Sequence, residues 1–265
     1  MATFLFPIFA DILRISMNQT AIVTGATSGI GLETTRLLIN AGWRVIITGR
    51  RQDKLDELSL EFGEKVLPLC FDVRNRENLR QHIENLPNDW NEISLLINNA
   101  GNAHGLDLFQ DGSWDDWEAM IDINVKGLLA VTEAVLPLMR KLGRGHIVNI
   151  GSIAGDQSYP KGSVYCASKS AVSMISDCLR IDLNTEGIKV SEIRPGMVET
   201  DFSLVRFKGD RERAEQVYKG LVPLSGKDVA EAILWMVQAP AHVNLSEVVI
   251  MPLAQASARD FHRQA

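Results

Sequence analysis

From Gln19 onward the chain alternates short apolar runs with longer amphipathic stretches, a rhythm that few folds accommodate. The apolar runs are T-A-I-V-T (20–24), R-V-I-I-T (44–48), V-L-P-L-C-F (66–71), S-L-L-I-N (94–98), H-I-V-N-I (146–150), K-V-S-E-I (189–193) and E-V-V-I-M (247–251). Helical patterns separate them near 30–41, 52–62, 75–86, 114–142, 163–184, 202–219 and 227–238. Strands this apolar need cover on both faces, which a parallel sheet between helices provides. Right-handed crossovers then wind the chain into a doubly wound α/β sheet of about seven strands. No linker, repeat or low-complexity stretch interrupts the pattern, so 17–265 reads as a single domain.

Directly after the first run comes T-G-A-T-S-G-I-G, which sets Gly25, Gly29 and Gly31 at a strand-to-helix turn with Thr27, Ser28 and Ile30 among them. Glycines there let the backbone turn tightly and approach a pyrophosphate, while the helix N-terminus offers free N–H groups and the positive end of its dipole. A glycine cluster can be only a turn, and the spacing G-x-x-x-G-x-G departs from the more general G-x-G-x-x-G. Its place after the first strand of an alternating pattern is what makes it a Rossmann-type phosphate loop. A site for NAD usually ends the second strand with an acid that binds the ribose 2′-hydroxyl. Here that strand ends T-G-R-R, and Arg50 and Arg51 stand where the acid would be. Two guanidiniums suit a 2′-phosphate through charge-assisted bonds, so NADP(H) is expected rather than NAD. The bland reading is a solvated pair, although cations at a helix start oppose its dipole.

Later strand ends continue the site. Asp72 and Val73 follow the third strand, placed to flank an adenine. The fourth ends N-N-A-G, where the small residues after Asn99, namely Ala100 and Gly101, let a cofactor approach the sheet. Asn124 falls inside the long helical stretch, where asparagine is unfavourable by propensity, so a kink with polar groups turned inward is expected there. Ser152 closes the fifth strand at the edge where open α/β sheets bind ligands. In V-Y-C-A-S-K (164–169), Tyr165 and Lys169 share a helix face. Tyrosine is a poor acid near neutrality, with an ordinary pKa of about 10. A nearby ammonium would lower it and make the phenol a usable general acid and base. Such pairs also arise by chance on helix surfaces, and only their company gives this one meaning.

Composition excludes more than it selects. Hydrophobic residues make up 46% and charged ones 23%, as in ordinary globular chains. A net charge of −6 argues against a nucleic-acid partner. Cys70, Cys166 and Cys178 form no C-x-x-C, and the histidines lack ligand spacing, so the expected protein is reduced, cytoplasmic and metal-free. Residues 1–16 are apolar but too short for a membrane span and interrupted by Asp11 and Arg14. They lack a signal-peptide pattern. Two readings stay open for them: an upstream start with Met17 the working one, or a short helical extension.

Taken in order, T-G-x-x-x-G-x-G, N-N-A-G, a helical Asn, a strand-end Ser and Y-x-x-x-K resemble the short-chain dehydrogenase/reductase family, over residues 19 to about 251. The stretches I-R-P-G (193–196), V-R-F-K-G-D (205–210) and P-A-H-V-N (240–244) resemble its bacterial NADP-dependent 3-hydroxy acid dehydrogenases, the group acting on serine and allo-threonine. The resemblance implies that Tyr165 exchanges a proton with the substrate oxygen and that Ser152 hydrogen-bonds the same oxygen. It implies that Lys169 lowers the phenol's pKa and holds the nicotinamide ribose, that Asn124 anchors a water, and that Pro195 and Gly196 lie by the nicotinamide. A homotetramer is implied as well, with one face of 163–184 in a subunit contact. The substrate's carboxylate is expected to pair with Arg206 in V-R-F-K-G-D, since Lys208 would point about 200° away on a helix. The alternatives are a carbonyl reductase for acyl-thioesters, pterins or sugars, and a non-catalytic NADP sensor. His104, Arg194, Trp114 and Trp117 read as structural.

Overall fold

The computed structural model describes residues 19–263, so the reading of residues 1–16 lies outside it. Seven strands form one parallel sheet: β1 (Thr20–Val23), β2 (Arg44–Gly49), β3 (Val66–Cys70), β4 (Ile93–Asn98), β5 (Gly145–Ile150), β6 (Ile188–Pro195) and β9 (Glu247–Ile250). Their order is β3-β2-β1-β4-β5-β6-β9. The chain winds outward from β1 to β3, then crosses to β4 and winds the other way. Its switch point therefore lies between β1 and β4, and a crevice opens beyond their carboxyl ends. Pro68 is tolerated because β3 is an edge strand and needs no N–H on its outer side.

Helices cover both faces, as the continuous apolar runs require. On one face α1 (Gly29–Asn40), α2 (Gln52–Phe62) and α9 (Gly226–Val237) pack over Val23, Ile47, Ile97 and Val148. On the other, α3 (Arg76–Glu84), α5 (Leu128–Leu142) and α6 (Ser163–Leu183) flank Ile22, Ile46, Leu96 and Ile147, while α4 (Trp114–Ile121) packs against α6. All eight strand residues are fully buried. At about 25 cal/mol per Å² of apolar surface, burial of this kind is the main force holding the layers together.

Two helical expectations are revised. The stretch 114–142 is not one α-helix: Asp122–Gly127 is a π-helical segment between α4 and α5. Asn124 lies within it, buried, in place of the simple kink that its poor propensity suggests. The stretch 202–219 breaks into α7 (Phe202–Arg206) and α8 (Arg211–Gln216). Lys208 at φ +53° and Gly209 at φ +93° turn the chain left-handed between them, which no continuous helix allows. A two-residue parallel pair, β7 (Val198–Glu199) with β8 (Leu224–Ser225), ties the two ends of this excursion together. It is too short to leave a periodic signal in sequence.

Candidate active site

The crevice at the switch point is a cleft of about 710 Å³, walled by the carboxyl ends of the central strands and roofed by α7. The β1–α1 turn forms its floor, where Gly25 and Gly29 adopt φ of +64° and +54° and Thr27, Ser28 and Ile30 line the cleft. Ser28 stands at the N-cap of α1 without making a side-chain cap, so the first-turn N–H groups stay open to an anion. By contrast, Ser225 closes a full capping box on α9. Gly31 does not line the cleft. A Cβ there would meet the Gly25 carbonyl oxygen at 2.3 Å and Asn99 Nδ2 at 2.5 Å, so this glycine lets α1 pack against the turn. Asn99 Nδ2 donates to the carbonyls of Thr24 and Gly25 at 2.8 and 3.1 Å, fixing the turn from beneath.

At one end of the cleft lie Arg50, Arg51, Asp72 and Val73. Arg51 reaches over the glycine turn and donates to Thr27 Oγ1 at 2.9 Å. The Arg50 guanidinium is 3.9 Å from the Asp72 carboxylate. Partial burial would raise the Asp72 carboxyl, but hydrogen bonds from Arg74 and the charges of Arg74 and Arg50 outweigh it and hold it below the usual range. The cleft thus carries an anion-ready helix end and two guanidiniums, with no acid ending β2, and these residues fit an NADP.

Ser152, Tyr165, Lys169, Pro195 and Gly196 meet at the other end, beside Ala100 and Gly101. Ser152 follows β5, and its Oγ accepts from the Ala154 N–H at 3.1 Å. Lys169 is buried, and its ammonium donates to the Ile150 carbonyl at 2.8 Å. Burial pushes it down to about 8. Burial raises the Tyr165 phenol above its ordinary value, helped by Tyr159, while Ser152 and the Arg206 charge act the other way. Lys169 is directed at Ile150 here, so the groups easing ionisation of Tyr165 are Ser152 and Arg206. Asn124 stands behind the cleft. Its Oδ1 accepts from the Asn102 N–H at 2.8 Å, and its Nδ2 donates to the Asn102 carbonyl at 2.9 Å and to Ser168 Oγ at 3.0 Å. It ties the π-segment to the loop after β4 and to the helix that carries Tyr165.

Arg206 lines the cleft from the roof, 5.7 Å above the centroids of both Tyr159 and Tyr165. It donates to the Gly105 carbonyl at 3.0 Å and to the Tyr159 hydroxyl at 3.1 Å. Lys208 turns away to Asp116 at 2.9 Å. Arg194 is buried in ion pairs, and His104 lies against Asn102, with its ring nitrogen 2.7 Å from Nδ2. Sequence reasoning missed Tyr159 and Phe202, whose ring meets Tyr165 edge-on with centroids 5.7 Å apart. It also missed Phe261 and Arg263 of the C-terminal segment at the mouth. None of these four stands in a spacing that signals a site.

A doubly wound sheet with such a cleft at its switch point defines a dinucleotide-binding α/β protein. The family described as short chain dehydrogenase matches residues 19–210. The NADP-dependent 3-hydroxy acid dehydrogenase YdfG of Escherichia coli (strain K12) is 46% identical over 245 residues, covering 92% of this chain and 99% of that protein. Sulfoacetaldehyde reductase 2 of Chromohalobacter salexigens is 42% identical over 243 residues, covering 91% and 96%. The closed form of serine dehydrogenase complexed with NADP+ superposes with a TM-score of 0.89 at 46% identity, covering 93% of this chain and all of that one. The chain belongs to the short-chain dehydrogenase family.

Proposed function

We propose that this protein is an NADP-dependent oxidoreductase interconverting a small 3-hydroxy acid and its 3-oxo acid, with serine, allo-threonine or 3-hydroxypropionate as substrate. The observation that carries the reading is the Arg206 guanidinium, placed in the cleft beside Tyr165. A carboxylate held there would leave the neighbouring hydroxyl carbon within reach of the phenol. The glycine turn, Arg50, Arg51 and the residues around Gly101 and Gly196 would hold the NADP, which would supply or take the hydride. Tyr165 then takes the proton of the substrate hydroxyl in oxidation and returns it in reduction. Ser152 donates to the oxygen as negative charge grows there, a contact stronger in the transition state than before it. Lys169 places a positive charge in the same wall, and Asn124 holds the wall in shape.

A guanidinium does not distinguish a carboxylate from a sulfonate, and one relative is a sulfoacetaldehyde reductase. A small sulfonated aldehyde is therefore the second reading. The homotetramer is part of the proposal, supported by Met174 and Ile181, which are exposed seven residues apart on α6. So is a cytoplasmic location, which suits three free cysteines. Among the described residues no helix is long and apolar enough to cross a membrane.

The test is reduction of NADP with allo-threonine or serine, and oxidation of NADPH with malonic semialdehyde or with sulfoacetaldehyde. Arg206→Ala should raise the Michaelis constant for the acid by at least tenfold, the scale of a lost charge-assisted contact of about 1.5 to 3 kcal/mol. A neutral 3-hydroxy ester should lose much less. Equal losses for acid and ester would place the carboxylate elsewhere. Preference for the sulfonated aldehyde would select the second reading.

A further inference from the structure

Among the described residues, Glu192 is the only carboxylate-bearing side chain buried from solvent, at 0% exposure, and the chemistry above does not use it. A buried charge costs several kcal/mol unless its neighbours compensate, so its surroundings are informative. It lies on β6, beside β5, the strand that Ser152 follows. Its Oε2 accepts from Arg194 Nε at 2.8 Å, and its Oε1 accepts from Ser173 Oγ at 2.8 Å. Ser173 is one turn beyond Lys169 on α6, and its hydroxyl lies 3.2 Å from the Lys169 carbonyl oxygen. The carboxylate also fills the space over Gly151, where a Cβ would come within 1.9 Å of Oε1. Gly151 joins Ile150, the acceptor for the Lys169 ammonium, to Ser152. Ammonium and carboxylate therefore press on adjacent residues at the end of β5. Any side chain at position 151 would force the carboxylate away.

We propose that Glu192 is the buried counter-charge of Lys169, a positioning residue that keeps the ammonium protonated in the active-site wall. Arg194 does not cancel it, because that one guanidinium is shared among Glu192, Asp156 at 2.8 Å and Glu247 at 3.1 Å. One cation against three carboxylates leaves an excess of negative charge, and only the Glu192 share of it is shielded from water. Burial drives Lys169 toward neutrality, and the charge of Glu192 opposes it. The ionisable groups facing the pair are Arg194 on the same strand, Glu247 on β9, Asp156 after β5, and Tyr165 one turn earlier on α6. The inference rests on Lys169 belonging to the active site, but not on any one substrate.

Glu192→Gln tests it, because the amide keeps the size and loses the charge: its oxygen can accept from Arg194 Nε while its NH2 donates to Ser173 Oγ, whose own hydroxyl can turn to the Lys169 carbonyl. The alkaline limb of kcat/KM for alcohol oxidation should move down by roughly one pH unit, the scale of a charge several ångströms away at an effective dielectric near 20. NADPH affinity, read by fluorescence, should weaken in the variant between pH 6.5 and pH 8.5 more than in the native protein, and should match it at pH 6.5. Glu192→Asp, which keeps the charge, should leave both readouts near native. An unmoved limb and an unchanged pH dependence of NADPH affinity in folded Glu192→Gln would overturn the proposal. If that variant does not fold, Lys169→Met reads the same coupling from the other side. The infrared band of the protonated Glu192 carboxyl should then persist to higher pH than in the native protein, and an unchanged titration would overturn the proposal. The NADPH and infrared readouts need no turnover, so failure to oxidise any 3-hydroxy acid would count against the proposed substrate and not against this pairing.

Discussion

Tyr165 is held in surroundings that make its phenol a weaker acid than free tyrosine, because burial outweighs the help of Ser152 and Arg206. At neutral pH it is therefore protonated and suited to give its proton to a carbonyl oxygen. Tyr165→Phe keeps the ring against Phe202 and removes only the hydroxyl. It should retain NADPH binding and lose turnover by about a hundredfold or more, the usual scale for a missing general acid. Stopped-flow reduction alongside a fluorescence titration separates the two, and near-normal turnover would remove Tyr165 from the chemistry. Lys169, one turn away, was expected to act on the phenol directly. Its ammonium is instead engaged by the Ile150 carbonyl and sits in the field of Glu192.

At the scale of elements, the cofactor end is built by where β2 stops. Gly49 ends the strand so close to the glycine turn that a Cβ would meet Thr27 Cγ2 at 2.9 Å, and the next two residues deliver both guanidiniums to the cleft. Replacing Arg50 and Arg51 together with Ala should weaken NADPH at least tenfold more than NADH, since only NADPH carries the 2′-phosphate and each charge-assisted contact contributes about 1.5 to 3 kcal/mol. Dissociation constants for the two cofactors give the comparison. Equal weakening would mean that the arginines act on the turn, as the Arg51–Thr27 hydrogen bond would then suggest. The π-segment is the other decisive element. Its Gly127 packs on Val73, where a Cβ would lie 2.7 Å from Cγ2, and its Asn124 carries the hydrogen bonds that a plain α-helix would aim elsewhere.

For the whole molecule, a histidine buried within the sheet makes stability fall in acid. His146 on β5 is buried with its Nε2 2.7 Å from Ser191 Oγ. Burial, with a smaller effect of the Lys189 charge, pushes its pKa from 6.5 to about 3. The folded protein therefore refuses a proton that the unfolded chain accepts below about 6.5. Stability from this group is complete above that pH and falls as pH drops toward 3. By pH 5 the loss amounts to up to about 2 kcal/mol, at 1.36 kcal/mol per pH unit. His146→Gln should shrink the drop in denaturant-unfolding free energy between pH 7 and pH 5 by that amount. The same drop in both proteins would assign acid sensitivity to other groups, such as the buried Glu192–Arg194 pair.

The fold was legible because apolar periodicity is a local property that burial makes obligatory: each of the seven runs became a strand of the sheet, within one or two residues at its ends. The glycine turn and the Ser152, Tyr165 and Lys169 positions were legible for a related reason, since strand ends and helix turns fix where short-range motifs point. Tertiary structure decided what depends on residues far apart in the chain. Arg206 enters the cleft because Gly105 and Tyr159, 101 and 47 residues away, hold it there. Gly31 packs against Gly25 and Asn99 instead of facing the cleft. Asn124 forms a π-segment because Asn102 and Ser168 supply its partners. Glu192, inside the run K-V-S-E-I in sequence, meets Ser173 and Gly151 only after β5, β6 and α6 have packed together. Hydrogen bonds and counter-charges act over a few ångströms of space, and sequence distance does not encode that separation.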